Sequence, residues 1–154
     1  MTDKITNFPL CWPSGWKRTV QTKRVNGRFN TKELRQSSST PGHTWQHSKA
    51  VTIADAVARV LDSLDKFGAD EKRIIISTNI EPRLDGLPRS GKSTDDPGVA
   101  VYWSTAANPQ QKCMGIDRYN SVADNIAAVA ATLEAMRAID RHGGAEILDR
   151  AFLG

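Results

Sequence analysis

The sequence predicts an α+β domain in which a small, mainly antiparallel sheet of three strands is covered on one face by two long helices. Apolar residues recur at helical spacing in two stretches, and each stretch opens with a capping sequence. Three short strand-like segments lie between these two stretches. We expect an extended basic N-terminal arm before this domain and a short helix at its C-terminal end.

The two long helices are predicted from their first residues, their last residues and their apolar stripes. Thr52-Ile53-Ala54-Asp55 and Ser121-Val122-Ala123-Asp124 have the form of capping boxes. Gly68 is a natural end for the first helix, and Gly143 with Gly144 for the second. The alanines of the second helix allow close packing on the sheet. The apolar stripe of the first helix is Ile53, Val57, Val60, Leu61, Leu64 and Phe67, and the apolar face of the second is Val122, Ile126, Val129, Leu133, Met136 and Ile139.

The strands are expected at residues 73–80, 98–105 and 111–118. The first of these reads R-I-I-I-S-T-N-I, a short run of β-branched residues that suits a buried strand. Asn108 and Pro109 can form the turn between the second and third strands. Residues 145–153 have the pattern of a short amphipathic C-terminal helix.

The bulk properties indicate a cytoplasmic protein. A chain of 154 residues fits one domain. It contains no apolar run long enough to cross a membrane, and its first residues lack the apolar core of a signal peptide. Cys11 and Cys113 are far apart and in no metal-ligand spacing, which suits a reducing compartment.

Charge is distributed unevenly along the chain. Residues 1–50 contain nine basic and two acidic residues, a net charge of +7, whereas the whole chain carries +4 and the remainder therefore −3. Residues 1–50 also lack a sustained helical or strand period, and they are rich in proline and serine. We therefore divide the chain into an arm, residues 1–50, packed on or near a core domain, residues 51–154.

The arm is the best candidate for a binding function, because its cations alternate with aromatic residues. Phosphates attract such cations, and aromatic rings can stack on unpaired bases. The alternative is that the aromatic residues only anchor the arm and that the charges are simply solvated. The predicted nucleic-acid-binding residues are Trp16, Lys17, Arg18, Lys23, Arg24, Arg28 and Phe29.

Residues 86–93 read G-L-P-R-S-G-K-S, which matches the letters of a phosphate-binding P-loop. A P-loop needs a helix directly after the motif, but here Asp96-Pro97-Gly98 and then a strand-like segment follow. We therefore expect no nucleotide and no other cofactor. The long loop at residues 81–97 is instead a possible protein-interaction surface. Its candidate contact residues are Arg83, Asp85, Arg89 and Lys92.

An enzymatic alternative is a metal-dependent nuclease. Asp96 before one strand, with Gln110 and Lys112 at the start of the next, loosely matches the PD-(D/E)xK pattern of acids and a lysine around a divalent metal. The second acid is replaced by glutamine here, and the other carboxylates suit loops and helix caps. His43 and His47 lack the further ligands that a zinc site needs, so we expect no metal site.

Six segments of the chain form a distinctive set: F-P-L-C-W-P-S-G-W-K-R-T at residues 8–19, I-S-T-N at 76–79, D-G-L-P at 85–88, D-D-P-G-V-A-V-Y-W at 95–103, D-R-Y at 117–119 and D-N-I at 124–126. These segments resemble a family of phage and prophage proteins, some members of which carry a J-domain. The likeness spans most of the chain and implies no established activity for the shared region. The chain has no His-Pro-Asp tripeptide, so co-chaperone activity is not expected.

Together, these observations predict a non-enzymatic accessory protein of a phage or prophage. It would bind nucleic acid or a nucleoprotein assembly, in replication, recombination or their regulation. A protein-interaction module that inhibits or modulates a host factor, and a metal-dependent nuclease, remain as alternatives.

Overall fold

The computed structural model of the chain describes residues 4–36 and 44–144. Within them the fold is α+β, a three-stranded antiparallel sheet packed with two helices, as predicted. A separate two-stranded sheet precedes this unit. The elements are β1 (Thr31–Gln36), β2 (Thr44–Lys49), α1 (Ile53–Lys66), β3 (Ile75–Thr78), β4 (Val99–Trp103), β5 (Lys112–Ile116) and α2 (Val122–Arg141).

Both predicted helix starts are confirmed. The Thr52 hydroxyl accepts a hydrogen bond of 3.1 Å from the amide of Asp55, and the Ser121 hydroxyl accepts one of 3.2 Å from the amide of Asp124. Just beyond the end of α1, Gly68 has a positive φ of 78°. This left-handed conformation, which glycine adopts without steric cost, turns the chain towards β3.

The main core lies between the helices and one face of the sheet. Ile76, Val101 and Met114 lie side by side across β3, β4 and β5, and all three belong to this core. The predicted stripe of α1 is confirmed, since its six residues are buried or packed against the core. In α2, Ile139 lies at the end of the predicted apolar face and is 42% exposed. The reason is that α2 has 20 residues and α1 only 14, and Ile139 lies in the last turn of the longer helix.

The opposite face of the sheet carries a row of small residues. Ser77, Ala100 and Gly115 lie directly opposite one another on β3, β4 and β5. Arm residues Trp12 and Pro13 lie against this row, because a Cβ atom added to Gly115 would be 3.0 Å from Trp12 and 3.1 Å from Pro13. With helices on one face and the arm on the other, every residue of β4 is buried.

The predicted arm contains regular structure that its sequence did not indicate. β1 and β2 pair antiparallel, from Thr31 opposite Lys49 to Gln36 opposite Thr44. These strands are polar and have no apolar alternation, which is the signal that was missing from the sequence. The expected C-terminal helix at residues 145–153 lies outside the described residues. Neither helix of the described chain is long and apolar enough to cross a membrane.

Candidate functional site

The arm is attached to the sheet by hydrogen bonds from its own backbone. The amide of Leu10 donates to Asn79 Oδ1 at 3.0 Å, and the amide of Cys11 donates to Ser77 Oγ at 2.7 Å. The carbonyl oxygen of Cys11 accepts a 2.6 Å bond from the Tyr102 hydroxyl. Burial raises the pKa of Tyr102 to about 12, so this hydroxyl stays protonated as a donor. These contacts fix where the arm lies on the sheet.

Four charged residues join the arm to the loop before β4 and to the loop after β5. We call these residues, Arg18, Arg24, Asp96 and Asp117, the Arg–Asp cluster. Asp117 is 3% exposed and follows β5. Its Oδ2 accepts bonds from Arg18 Nε at 2.7 Å and from the amide of Thr19 at 2.8 Å. Arg18 also bonds to Asp96.

Arg24 completes the Arg–Asp cluster. Its Nη2 lies 3.4 Å from Asp117 Oδ2 and 3.6 Å from Asp96 Oδ1, and its Nε donates to the Asp117 carbonyl oxygen at 2.8 Å. The Arg24 side chain is only 8% exposed. The guanidinium of Arg24 is therefore bound within the fold by ion pairs and by a hydrogen bond.

The cluster holds its carboxylates in the charged form. Burial by itself raises the pKa of Asp117, but hydrogen bonds from Arg18 and Thr19, with the charge of Arg18, outweigh it and hold the pKa below its usual value. Burial likewise opposes the effect of Arg18 and the Gly98 amide on Asp96, whose pKa is also lowered. The pKa of Arg18 is raised, because the two carboxylates outweigh its own burial.

Arg18 has a further contact with the aromatic part of the arm. Its guanidinium lies 4.7 Å from the centroid of the Trp12 ring, a cation–π geometry. The indole Nε1 of Trp12 donates to the carbonyl oxygen of Trp16 at 2.9 Å. Trp16 itself is 42% exposed. The arm therefore uses Trp12 for packing and leaves a large part of Trp16 in solvent.

The seven predicted nucleic-acid-binding residues therefore divide into two groups. Arg18 and Arg24 are bound to carboxylates, and Phe29 packs edge to face on Tyr119 with ring centroids 5.2 Å apart. The other four side chains are exposed, and the cations among them make no ion pair with the side chains of residues 4–30 and 49–144. This second group is Trp16, Lys17, Lys23 and Arg28.

The predicted interaction loop contains a tight turn. Arg83 and Asp85 form an ion pair of 3.0 Å, and Leu84 between them is fully exposed. The carbonyl oxygen of Gly86 accepts a 3.0 Å bond from Asn7 Nδ2, so the arm also contacts this turn. Arg89, exposed like Leu84, helps to line a shallow depression of about 410 Å³ beside it.

Lys92, the lysine of the P-loop-like string, lies beside a cavity of about 330 Å³. The cavity is lined by residues 90–94 and by the first residues of both α1 and α2. No helix directly follows the string, since the next regular element of the described residues is the strand β4. The Thr52 and Ser121 side chains already bond first-turn amides of the two helices. The chain connectivity that a P-loop requires is therefore missing.

The structure does not bring together the two residues of the nuclease pattern. Asp96 precedes Val99, which lies opposite Ile116, whereas Lys112 lies opposite Trp103 at the other end of β5. Four residues along a strand span about 13 Å. In the part of the chain that the structure describes, no group of three His, Cys, Asp or Glu side chains could hold a metal ion.

Sequence reasoning missed residues whose partners are distant in the chain. Asn125, completely buried in α2, donates from Nδ2 to the carbonyl oxygens of Pro97 at 2.8 Å and Tyr119 at 3.1 Å. Asp117 is a second example, since the sequence suggested only a loop or cap carboxylate, whereas the residue pairs with Arg18 and Arg24. An amide on an otherwise apolar helix face was the available signal for Asn125, because a buried polar group must find partners.

Comparison with family models, with curated proteins and with solved structures gives no match for this chain. The resemblance to phage and prophage proteins is therefore a prediction that depends on the sequence segments quoted above. Those segments contribute most of the contacts between the arm and the sheet, including Cys11, Arg18, Asn79, Asp96 and Asp117.

Proposed function

We propose that the chain is a non-enzymatic accessory protein that binds nucleic acid, or a nucleoprotein assembly, through the exposed residues of its arm. The supporting observation is that Lys17, Lys23 and Arg28 are exposed without an acidic partner in the described residues, close in the chain to a half-exposed Trp16. Residues 4–30 contain no acidic residue at all. An anionic polymer is the partner that suits this surface.

The proposed contacts with nucleic acid are of two kinds, ionic contacts with phosphates and stacking on a base. Lysine and arginine side chains that neutralise phosphates release condensed counterions, which makes binding strong at low salt and weak at high salt. An exposed tryptophan can stack on an unpaired base of any type. We therefore assign phosphate contacts to Lys17, Lys23 and Arg28, and a stacking contact to Trp16.

Arg18, Arg24 and Phe29 have a different role in this proposal from the one that the sequence suggested. Each is engaged within the fold, so they position the arm and do not contact the ligand. The resemblance to phage and prophage proteins suggests replication, recombination or their regulation as the process.

The experiment is a salt-titrated binding assay with single-stranded and duplex DNA. The triple variant Lys17→Ala, Lys23→Ala, Arg28→Ala is expected to bind both more weakly. It should also reduce the slope of log K against log salt by about 2 to 3, because each lost phosphate contact removes about 0.7 to 0.9.

The matched control removes three cations from the other end of the sheet. Lys112 lies opposite Trp103, and the turn that contains Lys72 and Arg73 is joined to that end, since Asp70 bonds to Ser104. The triple variant Lys72→Ala, Arg73→Ala, Lys112→Ala has the same change in net charge and should retain the wild-type slope. Equal losses in both triple variants, or none in the arm variant, would contradict the proposal.

A second candidate function, a protein-interaction module acting on a host factor, is favoured by one observation. Leu84 is fully exposed, and Phe8 is 43% exposed next to Asn7, which bonds to the same turn. Exposed apolar residues at a turn are suited to contact with another protein. Capture of a host protein that survives nuclease treatment, and that Leu84→Ser abolishes, would support this function in place of the first.

A further inference from the structure

We propose that Asn26 and Gly27 form a self-modifying site, at which the Asn26 side chain is converted to a carboxylate without an enzyme. These two residues are the only Asn-Gly dipeptide in the chain. They lie between the exposed cations Lys23 and Arg28, which belong to the proposed nucleic-acid surface. The consequence of the conversion for binding rests on the proposed function, whereas the conversion itself does not.

The reaction is an attack by the backbone on the neighbouring side chain. The Gly27 nitrogen forms a bond to Asn26 Cγ, which closes a succinimide ring, and the Cγ–Nδ2 bond breaks. The proton of the Gly27 amide is transferred to the departing nitrogen, which leaves as ammonia. A water molecule then opens the ring at either carbonyl carbon and gives aspartate or isoaspartate. No atom is oxidised or reduced, so water is the only co-reactant.

Glycine at position 27 leaves the attacking nitrogen accessible. A side chain on the residue after asparagine shields that nitrogen and restricts the backbone rotation that brings it to Cγ, whereas glycine does neither. The fold also requires glycine here, because an added Cβ atom would lie 2.5 Å from Cγ of Asp124 in α2. The packing of the arm against α2 therefore retains the residue that favours the reaction.

Asn120 polarises the carbonyl group that is attacked. Its Nδ2 donates a 3.0 Å hydrogen bond to Asn26 Oδ1. Negative charge develops on this oxygen during the attack, and a donor that is already in place stabilises that charge. The backbone holds the donor there, because the Asn120 amide donates at 3.0 Å to the carbonyl oxygen of Val25, the residue before Asn26.

Water has direct access to the reacting residue. Asn26 and Asn120 are both exposed, so the water that opens the ring reaches it from solvent. Asn120 is itself followed by Ser121, the N-cap of α2. The side chain of Ser121 hinders the same attack at Asn120, so Asn26 is the asparagine of this pair that reacts.

The conversion places a negative charge where nucleic acid is proposed to bind. Residues 4–30 contain no acidic residue, so a carboxylate at position 26 would be the first in this part of the arm. It would lie three residues after Lys23 and two before Arg28. Binding that depends on neutralising phosphates weakens when the net positive charge of the surface falls. The affinity of the protein would therefore decrease as the molecule ages.

The conversion is tested by incubating the purified chain at neutral pH for several days. Glu-C cleavage and tandem mass spectrometry locate the mass change, and methyl transfer by isoaspartyl methyltransferase detects isoaspartate. Asn26 is expected to be converted, and Asn26→Gln to acquire no isoaspartate in this segment. An unchanged Asn26 in the folded chain, with conversion in the urea-unfolded chain, would overturn the site.

The contribution of Asn120 is tested by the rate of conversion. Asn120→Ala removes the donor to Asn26 Oδ1 and keeps the backbone bond to Val25, so conversion should slow by about fivefold. Asn108→Ala is the matched control, because Asn108 is an exposed asparagine in the turn between β4 and β5. That variant should convert at the wild-type rate. Equal rates in both variants would overturn the role of Asn120.

The consequence for binding is tested with Asn26→Asp, which carries one product of the reaction. In the salt-titrated assay with DNA, this variant should bind more weakly and reduce the slope of log K against log salt by about 1. Asn108→Asp adds the same charge in the turn between β4 and β5 and should bind as the wild type does. Thermal unfolding followed by circular dichroism checks that both variants are folded.

The outcomes separate this inference from the function on which part of it rests. Conversion of Asn26 with full affinity in Asn26→Asp would overturn the effect on binding and leave the modification site standing. A wild-type protein that binds no DNA at low salt would overturn the proposed function and that effect, while the mass change would still decide whether the site exists.

Discussion

At the scale of single residues, Asp117 is the acid on which the attachment of the arm depends. It is 3% exposed and accepts bonds from Arg18, Thr19 and Arg24, all of which belong to the arm. A buried carboxylate is stable only when it is paired and hydrogen-bonded, as it is here. Removal of Asp117 would leave the buried Arg24 with a single, more distant acid, Asp96.

We therefore expect Asp117→Ala to lower the free energy of unfolding by about 3 kcal/mol, the usual cost of leaving one member of a buried ion pair without its partner. Asp62→Ala is the control, because Asp62 pairs with Lys66 at 3.0 Å on the surface of α1 with both side chains largely exposed. That variant should lose less than about 1 kcal/mol. Urea unfolding measures the free energy of unfolding of both variants. Equal losses would show that Asp117 stabilises the fold no more than a surface ion pair does.

The cluster also predicts how stability depends on pH. The pKa values of Asp96 and Asp117 are lowered in the folded state, so each contributes stability that is complete above its unfolded pKa, about 4. That contribution is lost as the pH falls through the folded values, while Arg18 stays charged. Asp96→Asn should therefore be less stable than the wild type at neutral pH, and the difference should shrink below about pH 4. A difference that stays constant in acid would contradict this.

At the scale of elements, the row of Ser77, Ala100 and Gly115 determines how closely the arm approaches the sheet. A side chain at Gly115 would occupy the space that Trp12 and Pro13 fill, and Ser77 accepts a hydrogen bond from the amide of Cys11. The row is a consequence of strand register, because each of these residues lies opposite the next across β3, β4 and β5.

Gly115→Val is accordingly expected to displace the arm, since an added Cβ would lie only 3.0 Å from Trp12. Overpacking of this kind costs about 1–3 kcal/mol. Lys112→Val is the control, because it places valine at an exposed position of the same strand. Trypsin cleavage after Lys17, followed by mass spectrometry, should become faster in Gly115→Val only. Unchanged cleavage would mean that the arm is held without the glycine.

Helices and strands that are marked by capping residues or by an apolar period could be predicted from the sequence. Elements that lack both features could not. Thr52 and Ser121 are capping residues beside an apolar stripe, so both helix starts could be placed to the residue. The polar strands β1 and β2 have no apolar period, so nothing distinguished them from a loop. The exposure of Ile139 depends on the relative lengths of two helices, which is a property of their packing.

At the scale of the whole molecule, the arm is part of the folded unit, because it covers one face of the sheet as the helices cover the other. A chain that lacks residues 1–20 would expose the Ala100 face of β4 and remove Arg18 from Asp117. We expect such a chain to bind a hydrophobic dye such as ANS and to lose cooperative unfolding. The full chain with Lys17→Ala should do neither. Cooperative unfolding of the shortened chain would show that the core folds without the arm.

The candidate site could be predicted only in part, because the ion pairs of the arm form with residues that are distant in the sequence. The sequence shows every cation of the arm, but whether a cation is free depends on acids elsewhere in the chain. Arg18 meets Asp96 and Asp117, which are 78 and 99 residues away. Lys17, its neighbour in the chain, meets no acid in the described residues. The sequence alone does not show that Arg18 is ion-paired and Lys17 is not.

The Arg–Asp cluster alternates in sequence with the proposed contacts, since Lys17 precedes Arg18 and Lys23 precedes Arg24. Each of these two lysines is therefore next to an arginine that the fold immobilises, so the fold restricts the positions of both lysines. A preorganised template loses less conformational entropy when it associates than a disordered basic tail does. Binding would then depend on how well the spacing of the ligand's phosphates matches that of the two lysines, so ligands of equal charge would differ in affinity.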